Sequence, residues 1–251
     1  MNEGRFENRD LHNQPFEDGL IDVPVKRFDV DSPEGVLITI KQFENDPERI
    51  VKVSRKENIY RFSLDNVDPI ESARTIEIQN QAKEEFEELN DKYGVSVTPF
   101  EYKTVRDEET NENVLYCISE KIHGDNLIVK LKEKEFSNRI GDIEKWLISL
   151  TNYFKDKYRE GNHYLGDVAN IGNYIYGHKK DEIEDKLYLI DTEPVLVGLK
   201  TPQEKEFFNE RVLKNLLAQI EYIEKETGKE LIDVHKEYDD LAKDALGNKE
   251  D

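Results

Sequence analysis

The chain has 251 residues, 36% hydrophobic and 37% charged, with a formal net charge of −20, so it can bury a core in one large domain or in two lobes. Strong acidity without a clustered basic face argues against a nucleic-acid partner, because neutralising phosphates needs Lys and Arg. A single cysteine, Cys117, excludes an internal disulfide. No apolar stretch approaches the ~20 residues of a membrane span, and no secretory signal is evident. We therefore expect a cytoplasmic protein without a membrane partner.

The first part of the chain is predicted to be a polar arm followed by strands. Residues 1–19 have few apolar positions and are expected to be irregular. Alternating β-branched runs at 35–43 and 49–55 are separated by the turn formers of "ENDPE", which predicts an antiparallel hairpin. The run at 58–64 fits either a third strand or the extended approach to a helix.

One long helix and two further strands are expected next. Asp68 can cap a helix with Pro69 at its first position, which gives a helix over 69–92. One side of this helix carries the apolar residues Ala73, Ile78, Ala82, Phe86 and Leu89. Two more strands follow at about 95–105 and 113–121, around a charged turn.

The second half of the chain, 123–251, is predicted to be mainly helical. Apolar residues recur at helical spacing from Ile143 to Tyr158, and the segment from Pro202 onward is also helical. Between these helices, two short apolar runs around a charged turn predict a hairpin within residues 163–193. The expected fold class is therefore α+β, with a small antiparallel sheet and one long helix preceding a compact helical region.

Polar residues with oxygen ligands flank this predicted hairpin. Asp191 follows the apolar run "LYLI", Asp167 precedes the companion strand, and Asn173 stands at the start of that strand. A hairpin would bring the three side chains to one edge, and hard oxygen ligands in this combination suit Mg²⁺. Asp and Asn are also ordinary turn residues that bond their own backbone, so a purely structural role is the alternative.

The order of several short segments resembles that of the protein-kinase-like superfamily, and it is closest to the branch of aminoglycoside phosphotransferases and choline kinases. The segments are "ERIVKV", an acidic helix, "SEKIHGDNL", "LGDVANIGNYIY" and "LIDTE", within roughly residues 28–200. The resemblance implies a two-lobed fold, with 20–122 as the sheet-containing N-lobe and 123–251 as the helical C-lobe.

The resemblance assigns the N-lobe residues to nucleotide binding. Lys52, in "ERIVKV", would contact the nucleotide phosphates, and Gly35 lies where the phosphate-covering loop should be, although a G-x-G-x-x-G pattern is missing. The long helix should supply a Glu that pairs with Lys52, and both Glu77 and Glu85 qualify.

A hinge and a catalytic loop complete the implied site. The main chain from Glu120 to Ile122 would bind adenine. Asp167 takes the position of the catalytic base, and Asp191 is the principal metal ligand. The second metal ligand is Asn173, if one residue is inserted relative to the family pattern, and Asn170 is the alternative. Leu165 stands where the family has a His, and Glu193 is open to a structural role.

These assignments predict an ATP- and Mg-dependent phosphotransferase that transfers the γ-phosphate to a hydroxyl of a small molecule. The departures from the family pattern leave a second prediction, a catalytically inactive pseudokinase that binds nucleotide or a protein partner. A third is an interaction protein that uses its acidic surface for a basic partner without nucleotide.

Overall fold

Alternating apolar residues in the first half of the chain form an antiparallel sheet. The computed structural model describes residues 19–27, 36–54, 76–106 and 113–247. The strands of the sheet are β1 (Leu20–Arg27), β2 (Val36–Phe43), β3 (Asp46–Ser54), β4 (Phe100–Arg106) and β5 (Asn113–Glu120). They pair in the order β1-β2-β3-β5-β4, and every pair is antiparallel.

The predicted strands match β2, β3 and β5, whereas β4 begins at Phe100, later than the predicted start at about 95, and β1 was not predicted. The turn between β2 and β3 is confined to Glu44 and Asn45, so β3 begins at Asp46, earlier than predicted. The predictions for 1–18, 28–35 and 58–64 lie outside the described residues.

The two faces of the sheet differ in what packs against them. Side chains on successive strand residues point to opposite faces. One face carries its own small core of Val51, Val114, Tyr116 and Ile118. The opposite face is turned toward α1 (Ile76–Asp91) and toward the second half of the chain. The Phe86 and Phe100 rings meet edge to face there, with centroids 5.2 Å apart.

Helix α1 confirms the predicted long helix over its described part, since residues 69–75 lie outside the described ranges. Three apolar residues of the predicted stripe, Ala82, Phe86 and Leu89, are buried. The helix is followed by Gly94 with φ of +72°, a conformation that glycine adopts without strain.

The second half of the chain combines helices with two small sheets. Its strands are β6 (His123–Asn126), β7 (His163–Leu165), β8 (Tyr174–His178), β9 (Lys186–Leu189) and β10 (Leu196–Gly198). Its helices are α2 (Leu127–Lys130), α3 (Ile140–Glu160), α4 (Pro202–Phe208), α5 (Lys214–Thr227) and α6 (Ile232–Leu246). Short 3-10 helices cover Lys134–Arg139 and Ile171–Asn173, and a π-helix covers Asn209–Leu213.

Helix α3 lies at the centre of the larger core. Its predicted apolar stripe is confirmed, because Leu147, Leu150 and Phe154 are fully buried and Trp146 is nearly so. Helix α6 packs along it. The helix ends at Glu160 and is capped by Gly161, whose φ of +66° allows its N–H to donate to the Lys157 carbonyl in the last turn.

The predicted hairpin within 163–193 is confirmed for its two apolar runs. Strands β8 and β9 do form an antiparallel pair, with β6 on the other side of β8. Strand β7, which the sequence analysis did not predict, pairs with β10 in a separate two-stranded sheet. The chain between β7 and β8 turns through residues 166–173, and this turn separates the two pairings.

A short parallel contact joins the hairpin to the large sheet. The Leu189 N–H donates to the Ser96 carbonyl at 2.9 Å, and the Thr98 N–H donates to the Leu189 carbonyl at 3.0 Å. Because residues 96–98 lead into β4, the end of β9 is held beside the sheet. The fold is α+β, as the sequence predicts, and this contact determines where Asp191 lies.

Candidate functional site

The face of the large sheet that looks toward the second half carries a row of three polar side chains. Strand register places Lys52 opposite Cys117, and Cys117 opposite Tyr102. Burial raises the pKa of the Cys117 thiol, which keeps it protonated, as expected for a buried small side chain. Burial also raises the pKa of Tyr102, whose hydroxyl donates to the Thr192 carbonyl at 2.7 Å.

Two loops of the second half bring carboxylates to this row. Asp167 follows β7, while Asp191 and Glu193 follow β9 in an irregular segment. The Ile190 N–H donates to the Asn173 carbonyl at 2.9 Å. The Asn173 side-chain amide in turn donates to the Asp167 carbonyl at 3.0 Å. These bonds connect the two loops, so their carboxylates are positioned together.

Lys52 meets the carboxylates directly. Its Nζ lies 3.0 Å from both Oδ1 and Oδ2 of Asp191, and 3.1 Å from Oε2 of Glu193. Burial alone would lower the pKa of the Lys52 ammonium, but the carboxylates of Asp191 and Glu193 outweigh it, so the pKa is raised and Lys52 stays charged. The predicted convergence of Lys52 and Asp191 is therefore present, across 139 positions of sequence.

The donor set of this cluster fits a hard divalent cation. Asp167, Asp191 and Glu193 each offer an oxygen, and these oxygens lie within 4.8 Å of one another. Carboxylate oxygens are the ligands that Mg²⁺ prefers. Three carboxylates beside one ammonium leave a local excess of negative charge, which a divalent cation would compensate.

The two asparagine candidates differ in what they already bind. The Asn170 side-chain oxygen accepts the Gly172 N–H at 2.8 Å and caps the following 3-10 turn. The Asn173 side chain is nearly buried and donates through its nitrogen, next to Asp167. Since the Asn170 oxygen is taken, Asn173 is the better placed of the two predicted metal ligands.

The prediction that a glutamate of the long helix pairs with Lys52 is wrong: among the described residues, Lys52 pairs with Asp191 and Glu193. Glu77 is exposed in the first turn of α1. Glu85 is buried, but it accepts from Lys157 Nζ at 2.9 Å and Tyr153 Oη at 3.2 Å, and it lies 3.1 Å from His163 Nε2. Helix α1 therefore pairs its buried carboxylate with α3 and β7, and Glu193 takes the position beside Lys52.

The Glu85 contacts form a polar network within the large core. Burial by itself would raise the pKa of Glu85, but the hydrogen bonds from His163 and Lys157 outweigh it and the pKa is lowered. The Tyr153 hydroxyl also accepts the Leu165 N–H at 2.9 Å. Because Leu165 precedes the loop that carries Asp167, the network fixes the start of that loop.

The residues predicted to form the hinge, 120–122, lie between the end of β5 and the start of β6. Both main-chain groups of Glu120 are used within the protein, because its N–H donates to the Pro99 carbonyl and its carbonyl accepts from the Thr98 hydroxyl. Ile122 is buried at the start of the second half. Gly35, proposed for the phosphate-covering loop, lies outside the described residues.

Sequence reasoning underrated Glu193 and missed Tyr102. Glu193 lies close to Asp191 because the chain turns locally, with the Glu193 N–H directed at Asp191 Oδ1 at 3.4 Å. The Tyr102 hydroxyl holds Thr192, the buried residue between the two carboxylates. This contact depends on strand register and could not be read from local sequence.

Neither a scan against protein-family models nor a search of curated proteins found a match to this chain. Among the described residues, no helix combines the length and the apolar character needed to cross a membrane.

Proposed function

We propose that this protein is an ATP- and Mg-dependent phosphotransferase with a two-lobed, kinase-like fold, which transfers the γ-phosphate to a hydroxyl of a small molecule. The observation that carries the proposal is the contact of Lys52 Nζ with both oxygens of Asp191 at 3.0 Å. Phosphoryl transfer needs a cation for the phosphates and carboxylates for metal at one place, and this contact supplies both.

The order of elements supports a two-lobed arrangement. Five antiparallel strands with α1 between β3 and β4 precede a region built on α3, α5 and α6. Lys52 belongs to the central part of the sheet, whereas Asp167 and Asp191 follow strands of the second half. A nucleotide bound between these two parts would have the ammonium on one side and the carboxylates on the other.

Each residue has a separate role in the proposed reaction. Lys52 would hold the phosphates, and Asp191, Asn173 and Glu193 are the candidates to hold Mg²⁺. When bound, the metal would neutralise charge on the phosphates. Asp167 would accept a hydrogen bond from the acceptor hydroxyl and orient its oxygen for attack. Most of the rate would come from this positioning and from charge neutralisation.

The direct test is protection of the protein by Mg·ATP against heat. We expect the wild-type chain to melt at a higher temperature with millimolar Mg·ATP, because a ligand that binds the folded state stabilises it. The Asp191→Ala variant should lose this protection. The matched control is Asp181→Ala, since Asp181 is an exposed residue in the turn between β8 and β9.

Turnover is tested separately with a panel of hydroxyl-bearing small molecules and labelled ATP. Asp167→Asn should retain protection by Mg·ATP and lose phosphate transfer, because the change leaves the phosphate contacts in place. Absence of any stabilisation of the wild-type chain at millimolar nucleotide would refute the proposal.

A second candidate is a pseudokinase that binds nucleotide or a protein partner without catalysis. Two observations favour it: the main-chain groups of Glu120 are already hydrogen-bonded within the protein, and Glu85 is held by Lys157 instead of Lys52. This candidate predicts protection by nucleotide without transfer to any acceptor. It also predicts that Asp167→Asn leaves the biological effect of the protein intact.

A further inference from the structure

We propose that Lys52 is a tethered counter-ion that competes with divalent metal for Asp191, so that metal alone binds weakly and metal binds well only together with nucleotide phosphates. This inference rests on the proposed function, because it concerns the order of binding at the same site. It goes beyond that function in making Lys52 an inhibitor of metal binding as well as a phosphate ligand.

The contact geometry is the first step. Lys52 Nζ is equidistant, at 3.0 Å, from the two oxygens of Asp191, and it also reaches Glu193 Oε2 at 3.1 Å. One ammonium thus contacts both oxygens of Asp191 and one oxygen of Glu193. Mg²⁺ binds carboxylate oxygens at about 2.0–2.1 Å, so it would compete for the same lone pairs.

Charge is the second step. The carboxylates attract either cation, but a dication and an ammonium held on the same oxygens repel each other strongly in a half-buried site. The side chains of Asp191 and Glu193 are 15% and 22% exposed, so water screens this repulsion only in part. Metal can enter only if Lys52 moves, and Lys52 then needs another acceptor.

Nucleotide phosphates supply that acceptor. Their oxygens are anionic, and a lysine ammonium binds them as a point charge. When Lys52 transfers its hydrogen bonds to phosphate, Asp191 becomes available to the metal. By linkage, phosphate and metal must then each raise the affinity for the other.

The test is a titration of the full chain with Mn²⁺ alone, followed by electron paramagnetic resonance of the free ion. We expect Lys52→Met to bind Mn²⁺ at least tenfold more tightly than the wild-type chain. Lys52→Gln is a second neutral variant, and circular dichroism checks that both variants fold. The matched control is Lys41→Met, because Lys41 lies on the neighbouring strand and pairs with the exposed Asp22 at 3.6 Å.

A double variant shows whether the added Mn²⁺ affinity of Lys52→Met depends on Asp191. Adding Asp191→Asn to Lys52→Met should remove that added affinity. A gain that persists without the Asp191 charge would overturn the inference, since the metal would then be bound elsewhere on this acidic chain. Equal Mn²⁺ affinity of the wild type and both Lys52 variants would overturn it as well.

The nucleotide arm separates this inference from the proposed function. Protection of the wild-type chain by Mg·ATP reports on the proposed function alone. If that protection is missing while Lys52→Met still gains Mn²⁺ affinity through Asp191, the competition stands and the phosphotransferase proposal fails. If Mg·ATP protects the wild-type chain but Lys52→Met gains no Mn²⁺ affinity, the competition is refuted and the phosphotransferase proposal stands.

Discussion

Replacing Glu85 by Gln tests whether α1 is anchored to α3 by a buried ion pair. Glu85 is 8% exposed and accepts from Lys157 Nζ at 2.9 Å, with His163 and Tyr153 as its further partners. Gln has the same shape but no charge, so the change leaves Lys157, itself 4% exposed, with one carboxylate partner instead of two.

The size of the stability loss depends on the carboxylate partner that Lys157 keeps in the variant. Breaking a buried pair outright costs roughly 3–5 kcal/mol, because a charge is left buried and unpaired. Lys157 keeps Glu88 at 2.6 Å. The expected loss is therefore smaller, about 2 kcal/mol in the free energy of unfolding. With a urea m-value of about 3 kcal/mol/M, the unfolding midpoint should fall by roughly 0.7 M.

The pH dependence has a definite sign. The folded-state pKa of Glu85 is lowered from its ordinary value of 4.5, so its contribution is fully present above that value and is lost as pH falls through the folded pKa. The difference between wild type and Glu85→Gln should be large at pH 7 and should shrink below about pH 4.5.

The assay is urea unfolding at pH 7 and at pH 4, with Glu87→Gln as the matched control, since Glu87 is exposed on the same helix. A similar shift of the midpoint in both variants, or a difference that does not change with pH, would refute the reasoning about the buried pair.

Three further predictions concern packing, positioning and reactivity. Gly177→Ala should lower the free energy of unfolding by roughly 3 kcal/mol in urea titrations, because its Cβ would lie 2.3 Å from the His123 carbonyl oxygen; Gly141→Ala, which meets nothing within 4 Å, should be close to neutral. Tyr102→Phe leaves the Thr192 carbonyl without its donor and should cost about 1–3 kcal/mol, together with a lower affinity for Mg·ATP in calorimetry; an unchanged affinity would mean that Tyr102 does not position the carboxylates. Cys117 should resist alkylation in the folded chain at pH 8 and react fully in urea, because burial shields the thiol and raises its pKa; rapid labelling of the native chain would contradict this.

The sequence alone predicted the elements on which the site depends. Strand alternation around Lys52, helical periodicity from Ile143 to Tyr158 and the apolar run before Asp191 are local patterns. Each is set by which face of one element must be buried, so it can be read without knowing the partner. The structure bears out these elements with shifts of a few residues at their ends.

The local sequence did not predict which side chains and strands would contact each other. The sequence offered Glu77 and Glu85 equally as partners of Lys52, and the structure gives that place to Asp191 and Glu193. Likewise, no local pattern predicted that β7 and β10 form a sheet of their own. Both outcomes depend on how whole elements pack, which no short window of sequence contains.

The local sequence therefore determined that a strand would present a lysine and that a short strand would end in a carboxylate. Only the tertiary structure decided that they meet, through the contact of residues 96–98 with Leu189 and the hydrogen bond from Tyr102 to Thr192. The physical reason is that an ion pair between residues 139 positions apart forms only where packing of the intervening chain has already brought its two strands together.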